Sequence, residues 1–302
     1  MTARDRKLEE ALAPVADMLR SVRVGLVGRG IQLSRTPKMH EVEGRDMGLS
    51  YRYDLIDTDA GAPDDLPMLV ERAEAEGFAG LNVTYPYKQE ALALLDELSD
   101  AARRVGAVNT IVFRDGRRFG HNTDYWGFSE SLRRGLPGAA MDTVLLIGAG
   151  GAGGAVAHAL SDLGAGRVLI ADTRPGAAEA LAAAVNAAAG RDDAAFADDD
   201  IASAMGAADG IVNATPVGMA KLPGTPVDPA LLERRLWVAD IVYFPLETEL
   251  LRVAARTGCR TLSGEGMAIF QAVRAFALFT GCQPDADRMR ATFRSLDTGG
   301  GA

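Results

Sequence analysis

The run TVLLIGAGGAGGAVAHAL, residues 143–160, limits the folds open to this chain more than any other stretch. An apolar strand, Thr143–Ile147, runs straight into a glycine-rich turn, and an alanine-rich helix follows. Gly148, Gly150 and Gly153 have the G-x-G-x-x-G spacing, with Gly151 inside the turn. In that pattern the first glycine permits a tight turn and the second lets the backbone approach a pyrophosphate. The third lets helix and strand pack closely. The helix N-terminus, with free N–H groups and a positive dipole end, then faces the phosphates. A second strand, Val168–Ala171, ends in Asp172, nineteen positions beyond Gly153. A glycine turn alone is weak evidence. Strand before, helix after and an acidic residue at this distance make it a dinucleotide fingerprint.

Asp172 bears on which dinucleotide binds. A carboxylate there can accept hydrogen bonds from an adenosine ribose and repels the 2′-phosphate of NADP. Two like charges about 4 Å apart repel by up to ~4 kcal/mol at an effective dielectric of 20, and solvent reduces that figure without changing its sign. Arg174 pulls the other way, because a nearby arginine is how such sites accept NADP. The balance favours NAD, with NADP as the alternative.

Before this region, short β runs alternate with helical segments. Val22–Gly28, Ser50–Asp57 and Phe78–Tyr85 read as strands, and DLPMLVERAEAEG as a helix between two of them. The alternation predicts an α/β fold with a mostly parallel sheet. AVNTIVFRDGRRFGHNTD reads as a hairpin about Asp115-Gly116. After the fingerprint, Gly210–Pro216 and Leu236–Tyr243 are further strand candidates, and GMAIFQAVRAFALFTG is a strongly apolar helix. The first twenty residues read as an amphipathic helix through Leu8, Leu12, Val15 and Leu19, and SLDTGGGA as a disordered tail.

With 302 residues, two domains are comfortable. A net charge of −9 argues against nucleic acid or an acidic membrane as partner, while leaving room for a small anion. Cys259 and Cys282 have no metal-ligand or disulfide spacing, and His40, His121 and His158 form no metal constellation, so no metal is expected. No stretch approaches a membrane span or a secretory h-region, which predicts a cytoplasmic protein. There is no Gly-x-Ser-x-Gly elbow, which sets an acyl-transfer hydrolase aside.

NVTYPYKQ, Asn82–Gln89, is unusual in ending a hydrophobic strand with Thr84, Pro86 and Lys88. A proline after a strand removes a ladder donor and sends the chain out of the sheet. Thr84 and Lys88 then lie at the strand's C-terminal end, where open α/β sheets bind ligands. Taken alone, Lys88 reads as a solvated surface lysine. Three further polar clusters end apolar runs: AVNT with Asn109, HNTDYWGF with Asp124, and LSRTPKMH with Ser34 and Thr36.

Together these stretches resemble the shikimate dehydrogenase family through nearly the whole chain. LSRTPKMHE is similar to its Ser-x-Ser-Pro-x-x-His motif, NVTYPYK to Asn-Val-Thr-x-Pro-x-Lys, and GAVNT and NTDYWGF to Gly-Ala-x-Asn-Thr and Asn-Thr-Asp-x-x-Gly. GAGGAGGA, NATPVGM and GMAIFQA follow in the family order. The resemblance implies an N-terminal α/β substrate domain, residues 1–124 completed by helices in 267–302. It also implies a Rossmann-type domain, residues 125–266, and a cleft between the two. It gives Lys88 and Asp124 as catalytic pair, and Ser34 and Thr36 as ligands of a substrate carboxylate. Thr84, Asn109 and Gln271 would bind ring hydroxyls, with Tyr243 near the carboxylate. Asn213 and Thr215 would line the cofactor, and Met267 would lie near the nicotinamide. For Asn213 a turn role, and for Met267 and Tyr243 ordinary packing, remain alternatives. The implied partner is a hydroxylated ring carboxylate, and a homodimer is left open.

Three departures from the common family pattern matter. Thr36 stands where serine is usual, Tyr87 where histidine is usual, and Asp172-Thr173-Arg174 where Asn-Arg-Thr is usual. This set resembles the NAD-dependent quinate/shikimate dehydrogenase branch. The implied reaction is oxidation of a ring alcohol, with Lys88 as base and Asp124 orienting it. Lys88 could instead stabilise the developing alkoxide. The competing readings are the NADP-dependent biosynthetic shikimate dehydrogenase, a dehydrogenase of an amino-substituted ring acid, and an inactive dinucleotide-binding regulator.

Overall fold

A computed structural model of the chain describes residues 21–60 and 65–296. The amphipathic helix expected over the first twenty residues, and the tail beyond Leu296, lie outside the described residues. The chain divides into two compact units. One takes residues up to Thr123 together with those from Ile269 onward, and the other is Asp124–Ala268.

In the first unit, β1 (Ser21–Gly28) is flanked by β2 (Ser50–Asp57) and β3 (Gly80–Val83), both parallel to it. β5 (Thr110–Arg114) runs antiparallel to β3 and to β6 (Arg117–His121), and β4 (Glu97–Leu98) closes the edge, giving the order β2-β1-β3-β5-β6-β4. Side chains alternate across a strand, so each face collects its own core. Val22, Val24, Leu26 and Val112 join Ala275, Leu278 and Phe279 from the late helix α9 (Glu265–Thr280). Val27, Leu81, Val83 and Ile111 pack on Leu66, Leu69, Val70 and Ala73 of α2 (Leu66–Ala75). Two other helices shape the unit: α1 (Thr36–Asp46) and α10 (Ala286–Ser295). A short helix, α3 (Asp100–Val105), is capped by the Ser99 side chain.

The second unit carries a six-stranded sheet that is parallel throughout, in the order β12-β11-β10-β7-β8-β9. Its strands are β7 (Thr143–Ile147), β8 (Arg167–Ala171), β9 (Ala195–Ala197), β10 (Gly210–Asn213), β11 (Trp237–Asp240) and β12 (Arg260–Leu262). Counted from β7, this is the 3-2-1-4-5-6 order of dinucleotide-binding sheets, with its switch point between β7 and β10. The apolar run of β7 serves both faces. Val144 and Leu146 meet α4 (Thr123–Gly135) and α5 (Gly151–Asp162) through Phe128, Leu132, Val156 and Leu160. Leu145 and Ile147 meet α7 (Ile201–Ala207) and α8 (Glu249–Thr257) through Met205, Leu250 and Leu251. The alanine-rich α6 (Ala177–Ala189) adds Ala178, Ala182 and Val185.

Three strands end earlier than their sequence suggests, each for a local reason. After β3, Thr84 N–H still reaches the Val27 carbonyl at 3.0 Å, and Pro86 then has no N–H to continue the ladder. After β10, the Asn213 side chain accepts from Thr215 N at 3.0 Å and donates to the Val217 carbonyl at 2.9 Å. After β11, the Asp240 carboxylate accepts from Val242 N at 3.0 Å. Both are turns in which a short polar side chain outcompetes the sheet for its own backbone. His40 and His158 are buried inside α1 and α5. Among the described residues, no helix is long and apolar enough to cross a membrane, and no cluster of His, Cys, Asp or Glu could hold a metal ion.

Candidate active site

In the first unit the expected substrate residues gather at one end of the sheet. The C-terminal ends of β1, β3 and β6 meet the start of β5 there, because Val27 pairs with Val83, Asn82 with Thr110 and Thr110 with His121. Thr84 sits so close to β1 that a Cβ on Gly28 would lie 2.3 Å from its methyl group. The Lys88 carbonyl accepts from Val108 N at 2.8 Å, which ties the lysine to the segment entering Asn109.

The amide of Asn109 has a fixed orientation. Thr123 N is a donor only, and it lies 2.7 Å from Asn109 Oδ1, so the oxygen must point that way. Nδ2 then donates to Thr123 Oγ1 at 2.9 Å and retains a second hydrogen. The Thr123 hydroxyl also approaches Gln271 Oε1 at 3.5 Å. Beneath this pair lies a chain of buried polar groups. Tyr53 Oη donates to Asn82 Oδ1 at 2.7 Å, and Asn82 Nδ2 donates to Thr110 Oγ1 at 2.9 Å and to the Asn109 carbonyl at 3.2 Å. In a low-dielectric interior such a network is rigid only when every member is satisfied. Tyr53, Asn82, Thr110 and Thr123 therefore belong to the site although sequence reasoning gave them no role. The signal available was an asparagine in the middle of an apolar strand.

Ser34 and Thr36 flank the start of α1. That helix has no side-chain cap, Pro37 stands in its first turn, and no acidic residue lies there. Its open N–H groups and two hydroxyls suit a carboxylate. The loop before it is held by Asp57, which accepts from Gly30 N at 3.0 Å, Ile31 N at 3.2 Å and Gln32 Nε2 at 3.0 Å. Those bonds keep the Asp57 carboxyl below its ordinary range, the Asp59 N–H contributing most. Tyr87, the departure beside Lys88, donates to Thr58 Oγ1 at 3.0 Å.

Asp124 follows Thr123 in the first turn of α4 and is buried, at 8% exposure. It belongs to the second unit, as does Tyr243, which is exposed beyond the end of β11. Their grouping with Lys88 and Ser34 rests on the family resemblance.

The second unit holds the residues expected to bind the dinucleotide. Gly148 has φ +103°, and a Cβ there would press on Ala214 and Thr215 across the switch point. Gly150 caps α5 with no side-chain bond, and a Cβ on it would meet nothing within 4 Å, leaving open backbone and the helix's free N–H groups beyond. Gly153 lies against the turn itself. The residues present therefore fit a pyrophosphate. Gly153→Ala would put a Cβ 2.0 Å from the Gly148 carbonyl oxygen. Overlap of that kind costs roughly 1–3 kcal/mol, and here it displaces the turn, so a Kd for NAD+ weaker by about tenfold or more is expected from titration calorimetry.

At the end of β8, Asp172 is clasped by its neighbours. Oδ2 accepts from Ala149 N at 2.7 Å and Arg174 Nη2 at 3.1 Å, and Oδ1 accepts from Arg174 N at 2.8 Å and Nε at 3.0 Å. The Arg174 side chain, followed by its backbone neighbours, holds the Asp172 carboxyl down to about 2. Asn213 and Thr215 line the switch point, fastened from below by Asp240. That buried carboxylate accepts from Asn213 Nδ2 at 3.0 Å and Thr248 Oγ1 at 2.7 Å, and burial pushes it up to about 6. Met267 packs with the core cluster of Phe128 and Val156 at 8% exposure.

Comparison with known proteins shows the family of the chain. The shikimate dehydrogenase substrate binding domain matches residues 26–111, and the shikimate 5'-dehydrogenase C-terminal domain matches residues 264–292. A quinate/shikimate dehydrogenase (NAD(+)) of Corynebacterium efficiens is 51% identical over 91% of this chain and 99% of its own length. The chain belongs to the shikimate dehydrogenase family. A second relative, a shikimate dehydrogenase (NADP(+)) of Streptomyces avermitilis, is 52% identical over 90% of this chain and 95% of its own. The solved quinate dehydrogenase from Corynebacterium glutamicum in complex with NAD superposes with a TM-score of 0.89 at 50% identity, over 91% of this chain and 99% of that one. Shikimate dehydrogenase family members named for NAD and for NADP are thus about equally similar in sequence.

Proposed function

We propose that this chain is an NAD-dependent dehydrogenase of quinate and shikimate, oxidising a ring alcohol to the 3-dehydro acid. The observation that carries the choice of cofactor is the clasp of Asp172 on Arg174. The carboxylate is ionised at any working pH, and its arginine is engaged, so a 2′-phosphate meets negative charge where a ribose diol finds acceptors. Arg174 is 62% exposed on its side chain, which favours the NADP-dependent reading to the extent that it can leave Asp172.

On this reading the first unit binds the ring acid and Asp124–Ala268 the dinucleotide. Ser34, Thr36 and the open start of α1 hold the carboxylate, and Thr84, Asn109, Thr123 and Gln271 the ring hydroxyls. Bound NAD+ supplies the hydride acceptor. Lys88, as the neutral amine, takes the hydroxyl proton as the C–H bond is lost, and Asp124 orients it. Tyr243 and Met267 complete the site on the dinucleotide side. The protein works in the cytoplasm, and a homodimer is the assembly to check by light scattering. Initial rates with quinate and with shikimate, each against NAD+ and NADP+, test the reading. Turnover of both acids with NAD+ supports it. Turnover of shikimate with NADP+ alone replaces it with the biosynthetic activity.

A further inference from the structure

Helix α1 is fastened to the late helices at three levels, with 232 to 258 residues of chain between partners. At its first turn, Arg35 Nη1 donates to the Phe293 carbonyl at 3.4 Å, and the guanidinium lies 4.6 Å from the Phe293 ring centroid. At its middle, the His40 Nε2 lies 3.1 Å from the Ala272 carbonyl. That carbonyl only accepts, so Nε2 carries the hydrogen, and Nδ1 accepts from the Tyr51 hydroxyl at 2.9 Å. Burial accordingly lowers the imidazole to about 3. At its last turn, the wholly buried Glu43 carboxylate accepts from Arg288 Nε at 2.6 Å, Arg288 Nη2 at 2.9 Å and Asp285 N at 2.7 Å.

Arg35 stands between Ser34 and Thr36. Fixing its side chain fixes the two peptide units from which those hydroxyls project. Ahead of it, Ser34 N donates to the Ile31 carbonyl at 2.9 Å, inside the loop that Asp57 holds. The hydroxyl pair therefore sits between two anchors, one on β2 and one on the last helix. Hydrogen bonds to a carboxylate depend on placement to within a fraction of an ångström.

We infer that Arg35 and Phe293 are positioning residues for the carboxylate end of the substrate site, with α10 setting the Ser34 and Thr36 hydroxyls through them. This rests on the ring-acid reading. The test is steady-state kinetics, with quinate and NAD+ varied separately, for the wild type, Arg35→Met, Phe293→Leu and the double variant. Arg35→Met should raise KM for quinate roughly five- to tenfold, about the worth of one hydrogen bond, and Phe293→Leu, which keeps the carbonyl acceptor and removes only the ring, roughly two- to threefold, with KM for NAD+ and kcat changing less than about twofold in both. The double variant should be no worse than Arg35→Met, because without the guanidinium the Phe293 ring has nothing left to hold. Arg35→Lys, keeping a cation over the ring, should recover most of the loss.

Unchanged KM for quinate in both single variants overturns the inference. So does a multiplicative double variant, or a rise in both KM values together. If Phe293→Leu fails to fold, Arg35→Met against Arg35→Lys decides alone. A wild type inactive on every ring acid removes the functional reading and this inference with it. An active wild type with indifferent variants removes only the inference.

Discussion

In Asp172→Asn the preference for NAD+ over NADP+, measured as the ratio of kcat/KM values, should fall by about a hundredfold. Two effects add. The asparagine still accepts from Ala149 N through its oxygen, so the turn at Gly148 keeps its shape. A ribose hydroxyl loses a charged acceptor, a loss of about 1.5–3 kcal/mol, and NAD+ suffers by roughly tenfold or more. The like-charge penalty against a 2′-phosphate disappears at the same time. Arg174, now facing a neutral amide, is released from its two side-chain bonds at 3.0 and 3.1 Å and becomes available to that phosphate. Adding Arg174→Ala to Asp172→Asn should cancel the gain with NADP+ and leave the loss with NAD+. A ratio that moves less than about threefold in the single variant would show that neither residue selects the cofactor.

Lys88→Ala should lower kcat by about two to four orders of magnitude, the usual worth of a positioned proton acceptor, while the Kd for NAD+ stays put. A base must be deprotonated before it can take the hydroxyl proton. The limb of the kcat profile on the acid side should therefore disappear in Lys88→Ala. Retention of that limb with reduced kcat would assign Lys88 to electrostatic stabilisation of the alkoxide instead. Near-normal kcat would remove it from the chemistry.

Much of the dinucleotide unit was readable from residues alone because its signals are local. Thr143–Ile147, the three glycines and Asp172 lie within thirty residues, and strand, turn and helix follow each other without interruption. The strand ends were harder. Asn213 and Asp240 look like strand residues until their side chains are seen to hold Thr215 N and Val242 N. β4, β9 and β12 are two or three residues long, too short for any alternation to register. In the other unit the motifs pointed to Thr84, Lys88 and Asn109, but their support could not be read. Asn82 meets Thr110 only because β3 and β5 pair antiparallel in one register. Glu43 and Arg288 are 245 residues apart, and nothing in either neighbourhood announces the other.

That last separation has a consequence for the order in which the protein can be made. Domains generally fold as units while synthesis proceeds from the N-terminus. Here the dinucleotide unit is a single continuous stretch, whereas the sheet that starts at Ser21 needs helices that begin after residue 264. Until those helices leave the ribosome, the face of Val22, Val24 and Leu26 is uncovered and Glu43 has no Arg288 to answer its charge. The unit that emerges first is finished last, and its nascent sheet must wait in the open while its neighbour completes a core.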